Sequence, residues 1–297
     1  MRSSVTKANL ILVLVTLMWG MTFPLIKEAL VFVSPSTFVF FRFLVAGICF
    51  LPFLFKKLRD TNQTLIIAGA ILAVLNGGIY LFQTIGLETI SGTRSAFITG
   101  ANVLIVPFLL PFFRLGRPTR LDVVTTVIAF VGLFILTGAS LSEFKPGDYW
   151  TLSCAFLYAL AIVFVQWVTP RITSYSLLSF YQIVIAIPLL MLIATPDNYT
   201  HILHTRVIVA ILFCAIAATV LAFNWQMKYQ QKTTAVQAAL IYCLEPVFAS
   251  FFVWLINGQA VTAHVWFGGG LMLLAIVLPI LYRLKWREDK VQSQFGS

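Results

Sequence analysis

Glu245 is the residue whose chemistry most needs explaining. It lies in Tyr242-Cys243-Leu244-Glu245-Pro246, with about eleven apolar-biased residues on either side, too deep to snorkel to water. Ionisable groups inside lipid are costly and by default mark function. Away from water a carboxylate is disfavoured unless paired, so it can carry a proton or neutralise the amine of a solute. The other reading is structural, with Glu245 accepting helix-packing hydrogen bonds near Pro246. Arg42, in Phe40-Phe41-Arg42-Phe43-Leu44, is about six residues from the end of its run, close enough to snorkel outward. It reads first as an anchor that bonds carbonyls or pairs with a carboxylate, and second as a solute contact.

Around these charges run polar stripes at helical spacing. Asn76, Tyr80 and Gln83 fall at i, i+4 and i+7, as do Ser95, Thr99 and Asn102, while Gln237, Ile241 and Glu245 fall at i, i+4 and i+8. Asn224, Trp225 and Gln226 lie at the level corresponding to Gln83. A lone polar group in lipid acts as glue between helices for about 0.6 kcal/mol, but several stripes together read as the lining of a cavity. Trp19 and Tyr158 are both far from any interface, so a belt role is closed to them. They form either an aromatic wall for an apolar or cationic solute or plain core. The expected solute-binding set is Trp19, Asn76, Tyr80, Gln83, Asn102, Tyr158, Asn224, Gln237, Tyr242 and Glu245.

Catalytic chemistry at depth would need H-E-x-x-H, paired aspartates or a Ser/His pair, and the sequence has none of these patterns within its apolar runs. His201, His204 and His264 fall in or beside loops, and His201 and His204, at i and i+3, read as solvated. Cys49, Cys154, Cys214 and Cys243 stand singly in apolar runs without metal-ligand spacing. An enzyme is not expected, nor is a metal or cofactor.

The elements that must position these groups follow from composition. Of the 297 residues, 60% are hydrophobic and 10% charged, against about 25% charged in a soluble domain, which excludes a soluble fold. Ten apolar runs stand at 8–30, 36–55, 64–87, 94–113, 121–139, 148–168, 175–194, 206–226, 234–256 and 262–283, each near the ~20 residues of a membrane span. The first lacks a small-residue cleavage site and reads as an uncleaved span. The net charge of +10 sits between runs, so it reads as topology and not as a nucleic-acid surface. Counting alternate sides gives fifteen Lys and Arg on the side of the N-terminus and four opposite, with Arg42 inside a run. Cytoplasmic termini are expected.

Small residues repeat at four in Gly69, Ala73 and Gly77 and in Cys214, Ala218 and Ala222, ridges suited to close helix packing. Seven prolines within runs are candidates for kinks. Shifting the second half by 139 aligns Trp19 with Tyr158, and a later shift of 142 aligns Ala96 with Ala238. Two copies of five spans must face opposite ways, the inverted-repeat construction of many carriers. The expected units are 1–140, 147–286 and a cytoplasmic tail, 287–297.

Trp19-Gly20-Met21-Thr22-Phe23 with Lys27, Arg42-Phe43-Leu44-Val45-Ala46-Gly47 before Leu51-Pro52, and Leu244-Glu245-Pro246-Val247-Phe248-Ala249 before Gly258 resemble the EamA-type branch of the drug/metabolite transporter superfamily. The likeness spans essentially the whole chain. It implies an all-α membrane protein of ten helices in two inverted five-helix repeats around a central cavity, lined by helices one, three, four, six, eight and nine. It further implies an exporter of amino acids or related small metabolites or drugs in the bacterial inner membrane, working by alternating access. Arg117 and Gln259 stand where members often carry an acidic residue. An importer on the same fold and a receptor or scaffold are the alternatives. A phosphorylated cargo fits poorly, because a dehydrated dianion needs several cations and only Arg42 is intramembrane. Substrate identity, direction, proton coupling and oligomeric state stay open.

Overall fold

A computed structural model describes residues 2–51, 58–137, 144–194, 199–257 and 263–295, and among them every regular element is helical. In chain order these are α1 (Arg2–Ala29), α2 (Pro35–Phe50), α3 (Gln63–Thr89), α4 (Gly92–Gly100), α5 (Asn102–Leu109), α6 (Arg120–Thr137), α7 (Pro146–Val168), α8 (Tyr175–Ile193), α9 (Thr205–Ala215), α10 (Ala222–Gln230), α11 (Ala235–Tyr242), α12 (Glu245–Asn257) and α13 (Ala263–Phe295). Seven helical segments are long and apolar enough to cross a membrane, and α2 and most of α8 add two shorter apolar ones. Large apolar side chains such as Phe108, Leu192 and Trp266 are exposed around the outside, a surface only lipid would cover. The chain is a multi-pass membrane protein.

Helix starts follow local chemistry. Ser34, Asn62, Ser91, Ser174 and Thr234 each turn a side-chain oxygen to a backbone N–H at the start of α2, α3, α4, α8 and α11, satisfying donors that lipid could not. Pro24, Pro188 and Pro279 lie inside unbroken helices. The expected tail continues α13 as helix to Phe295.

Two expected continuous runs are interrupted. The run 94–113 divides into α4 and α5 at Ala101, and the run 234–256 into α11 and α12 at Cys243-Leu244. At the second break Pro246 has no N–H for the Tyr242 carbonyl, and its ring crowds that group. At the first the Asn102 side chain takes over, donating from Nδ2 to the Thr99 carbonyl at 2.7 Å, a local bond that competes with the helix. These breaks place Asn102 and Glu245 at the N-termini of half-helices.

Packing brings α3 against α7 and α8, α1 against α9, α10 and α12, and α6 against α13. The α6–α13 contact depends on two glycines: a Cβ on Gly268 would stand 2.4 Å from the Gly132 carbonyl oxygen, and one on Gly132 2.7 Å from that of Gly268. Gly268→Leu is therefore expected to destabilise the folded chain by ~3 kcal/mol or more, read as a lower thermal midpoint in detergent. Gly270→Ala, which meets nothing within 4 Å, is the matched change expected to be silent. In the ridge on α3, Gly69 packs on Tyr181, whereas Gly77 has nothing within that distance.

Candidate functional site

A cavity of about 20 Å³ lies at the centre of the bundle, room for about one water molecule. Trp19 and Thr22 line it from α1, Asn76, Ile79, Tyr80 and Gln83 from α3, Tyr158, Ala161 and Val165 from α7, Gln226 from α10 and Glu245 from α12. Six of the ten expected residues meet here: Trp19, Asn76, Tyr80, Gln83, Tyr158 and Glu245. Thr22, Ile79, Ala161, Val165 and Gln226 complete the lining. Ala161 and Val165 follow Tyr158 at i+3 and i+7, so helical periodicity applied to that residue alone would have found them.

The other four expected residues lie elsewhere. Asn102 is buried with Nδ2 on its own helix break and Oδ1 without a partner among the described residues. Asn224 accepts from the Ser176 hydroxyl at 3.2 Å. Gln237 donates to the Ile276 carbonyl on α13 at 3.1 Å. Tyr242 stands behind the lining as part of an aromatic cluster. Its ring is 5.2 Å from Trp19 and 6.0 Å from Tyr158 between centroids, and Trp19 and Tyr158 are 5.9 Å apart. The buried Tyr158 hydroxyl has no hydrogen-bond partner among the described residues.

Glu245 is 4% exposed and turns to this cavity as the first residue of α12, where the positive end of the helix dipole favours a carboxylate. Among the described residues no side chain or backbone group bonds to it. Arg42 stands over the ring of Tyr80, which lines the same cavity.

The Arg42 guanidinium does not snorkel; it is fully buried and turned inward. The cause is a wide π-type turn over Ile216–Leu221, between α9 and α10. There the Ala222 N–H, whose α-helical acceptor would be Ala218, bonds instead to the carbonyls of Ala217 and Thr219. The Ala218 carbonyl accepts from Trp19 Nε1 at 3.0 Å and from Arg42 Nη2 at 3.3 Å, and Arg42 Nε donates to Thr219 Oγ1 at 2.9 Å. The guanidinium carbon lies 3.9 Å above the centre of the Tyr80 ring, a cation–π contact strengthened by desolvation. Such wide turns recur at functional sites, and this one joins α1, α2 and α3 to a point beside the cavity.

Polar layers bound the cavity on both sides. On the side of the α10–α11 connection, Gln230 Oε1 accepts from Gln226 Nε2 at 3.2 Å and from the Tyr242 hydroxyl at 3.1 Å, while Gln230 Nε2 donates to the Ile162 carbonyl at 2.7 Å. On the other side Arg94 forms a two-pronged pair with buried Asp148, Nε to Oδ1 at 2.7 Å and Nη2 to Oδ2 at 2.6 Å. There Lys27 Nζ bonds to the Leu87 and Ile90 carbonyls, and the Gly147 N–H donates to Thr89 Oγ1 at 2.9 Å. Asn76 Nδ2 donates to Gln182 Oε1 on α8 at 2.8 Å, and Gln83 Nε2 to Thr99 Oγ1 on α4 at 3.4 Å.

Among the described residues no group of three His, Cys, Asp or Glu side chains is placed to hold a metal ion. The His204 ring stacks on Phe32 with centroids 3.8 Å apart, and its Nδ1 accepts from the Arg206 N–H.

Comparison with known proteins matches residues 6–138 and 145–281 to the model of the EamA-like transporter family. An uncharacterized transporter of Archaeoglobus fulgidus is 33% identical over 275 residues, covering 91% of this chain and 85% of that protein. A probable amino-acid metabolite efflux pump of Salmonella typhimurium is 23% identical over 287 residues, covering 92% and 95%. One solved crystal structure shares the fold with a TM-score of 0.74 at 15% identity, covering 95% of this chain and 99% of its own. The chain is thus a membrane transporter and not an enzyme, and it belongs to the EamA-like transporter family of the drug/metabolite transporter superfamily.

Proposed function

We propose that the chain is a secondary carrier that exports an amino acid or related small metabolite across the bacterial inner membrane, alternating access to a site formed by Trp19, Asn76, Tyr80, Tyr158, Gln226 and Glu245. The carrying observation is the chemistry of the central cavity: one buried carboxylate, several uncharged amides and phenols, and two aromatic faces. That set suits a zwitterionic or cationic small molecule, with its ammonium between Glu245 and the rings of Trp19 and Tyr158 and its remaining polar atoms on the amides. A dianion is disfavoured, because a dehydrated dianion needs several cations and Arg42, with Nε and Nη2 on the π-type turn, has only Nη1 without a partner among the described residues.

Ten spans in two inverted repeats, 1–140 and 147–286, are the construction we assign. Three observations support it. The family matches twice, over 6–138 and 145–281. The helix breaks at Ala101 and Cys243 stand 142 residues apart, the shift that aligns the two sequence halves there. Packing is self-complementary under exchange of the halves: α3 meets α7 as α1 meets α9 and α10, and α6 meets its own counterpart α13. Cytoplasmic termini follow from the fifteen-to-four distribution of basic residues.

On this reading the structure is a closed state, and the Gln226–Gln230–Tyr242 layer is the cytoplasmic gate. Cys243, fully buried beside it, is a built-in reporter. With Cys49, Cys154 and Cys214 replaced by Ala, Gln230→Ala is expected to speed modification of Cys243 by a charged thiol reagent from the cytoplasmic side by about tenfold. An unchanged rate would contradict the gate.

The function is tested by flux into proteoliposomes under an imposed pH gradient, with amino acids and monoamines as probes. Saturable accumulation of at least one supports a carrier; flux no greater than in empty vesicles for the whole panel would count against this substrate class.

A further inference from the structure

A second cavity, of about 570 Å³, opens where α5, α6, α7 and α11 end or begin, beside Tyr282 of α13, on the face that holds most of the basic residues. Arg117 and Arg120 line it and are exposed; among the described residues neither makes a hydrogen bond or ion pair. The carboxylate beside them, Asp122, is occupied: its Oδ2 accepts from the Thr119 N–H at 2.9 Å and the Thr119 hydroxyl at 2.7 Å, capping α6. The first turn of α11 also borders the space, so two helix N-termini add positive potential. Gln166 donates from Nε2 to the carbonyl of Thr233, and among the described residues the Thr233 hydroxyl and Gln166 Oε1 have no partner. Both residues lie in the wall of the cavity.

We propose that this cavity binds the headgroup of an anionic membrane lipid of the phosphatidylglycerol type. The phosphate lies against Arg117 and Arg120, whose planar donors suit phosphate oxygens. The glycerol hydroxyls of the headgroup face the polar part of the wall, formed by Thr119, Gln166 and Thr233. Apart from Thr234, whose hydroxyl caps α11, the remaining wall is apolar, and Tyr282, 59% exposed, carries it out to the helix surface as interfacial aromatics do. A basic pocket between helices at the cytoplasmic surface is where such headgroups lie. The assignment is independent of which solute the carrier moves.

The test uses the full chain in phosphatidylcholine nanodiscs doped with phosphatidylglycerol, with tightly held lipids counted by native mass spectrometry. One retained phosphatidylglycerol is expected, with affinity reduced about tenfold or more in Arg117→Gln/Arg120→Gln and about fivefold in Thr233→Val. Lys228→Gln/Lys232→Gln removes equal charge from the same face outside the cavity and is expected to change nothing. Equal loss in that control, or no loss in the two cavity variants, would overturn the site. Displacement of the lipid by free sn-glycerol 3-phosphate, with the same dependence on Arg117 and Arg120, would overturn the lipid as occupant and assign the site to a soluble phosphate ester.

Discussion

Glu245→Gln is expected to abolish pH-gradient-driven accumulation of the transported solute, a loss of about a hundredfold. The carboxylate is enclosed in the central cavity and no other described group bonds to it, so nothing in place substitutes for its charge. Loss of an ion pair from a desolvated site costs ~3 kcal/mol or more, enough for that factor. The conservative change separates the two uses of the residue. If Glu245 carries the proton, the amide fixes the uncharged form, and exchange of labelled for unlabelled solute survives while uphill transport fails. If Glu245 pairs with the solute amine, both fail together. Full uphill transport by the variant would remove Glu245 from the mechanism.

The second large effect is expected at Arg42. Arg42→Ala deletes the two hydrogen bonds that fasten α2 to the Ala218–Thr219 turn, removes the cation over Tyr80 and leaves a void where a fully buried side chain stood. A fall in stability of ~3–5 kcal/mol follows, measured by thermal unfolding in detergent. Arg42→Lys is expected to rescue little, because a single ammonium cannot reproduce the guanidinium fork. Because Arg42 stands over Tyr80, which lines the cavity with Glu245, Arg42→Ala/Glu245→Gln is expected to be more stable than Arg42→Ala alone, by ~1 kcal/mol. Strict additivity would show that the two charges do not act on each other.

The all-helical membrane fold was legible in the sequence because lipid imposes a length and a polarity on each crossing, and apolar runs report both. Asn76, Tyr80 and Gln83 were legible as one face of α3 for the same reason: their spacing is a property of one helix. What that face meets is a property of two helices, which spacing along one helix does not carry. Gln237 shares a face with Glu245 but turns to the Ile276 carbonyl of α13, and Asn224 turns to Ser176 of α8. Distance from the end of a run gave the depth of Arg42 but not its direction, which is set by a carbonyl 176 residues away. The π-type turn that exposes that carbonyl has no marker in Ile216–Leu221, a stretch of ordinary helix formers and β-branched residues. Pro246 hinted at the break before it, whereas the break at Ala101 arises from an asparagine side chain competing with its own backbone, a bond that spacing alone does not reveal.

The central claim is that the cavity between α1, α3, α7, α10 and α12 holds the transported solute. It is tested most directly by placing a single cysteine at Ala161, which lines the cavity, in a chain whose four native cysteines are replaced by Ala. Phe108→Cys, on the exposed outer surface, is the comparison in the same background. A transported solute should slow thiol modification at position 161 in proportion to its saturation of transport and leave position 108 unaffected. Modification at 161 that ignores every transported solute, or protection equal at both positions, would contradict the assignment of this cavity as the solute site.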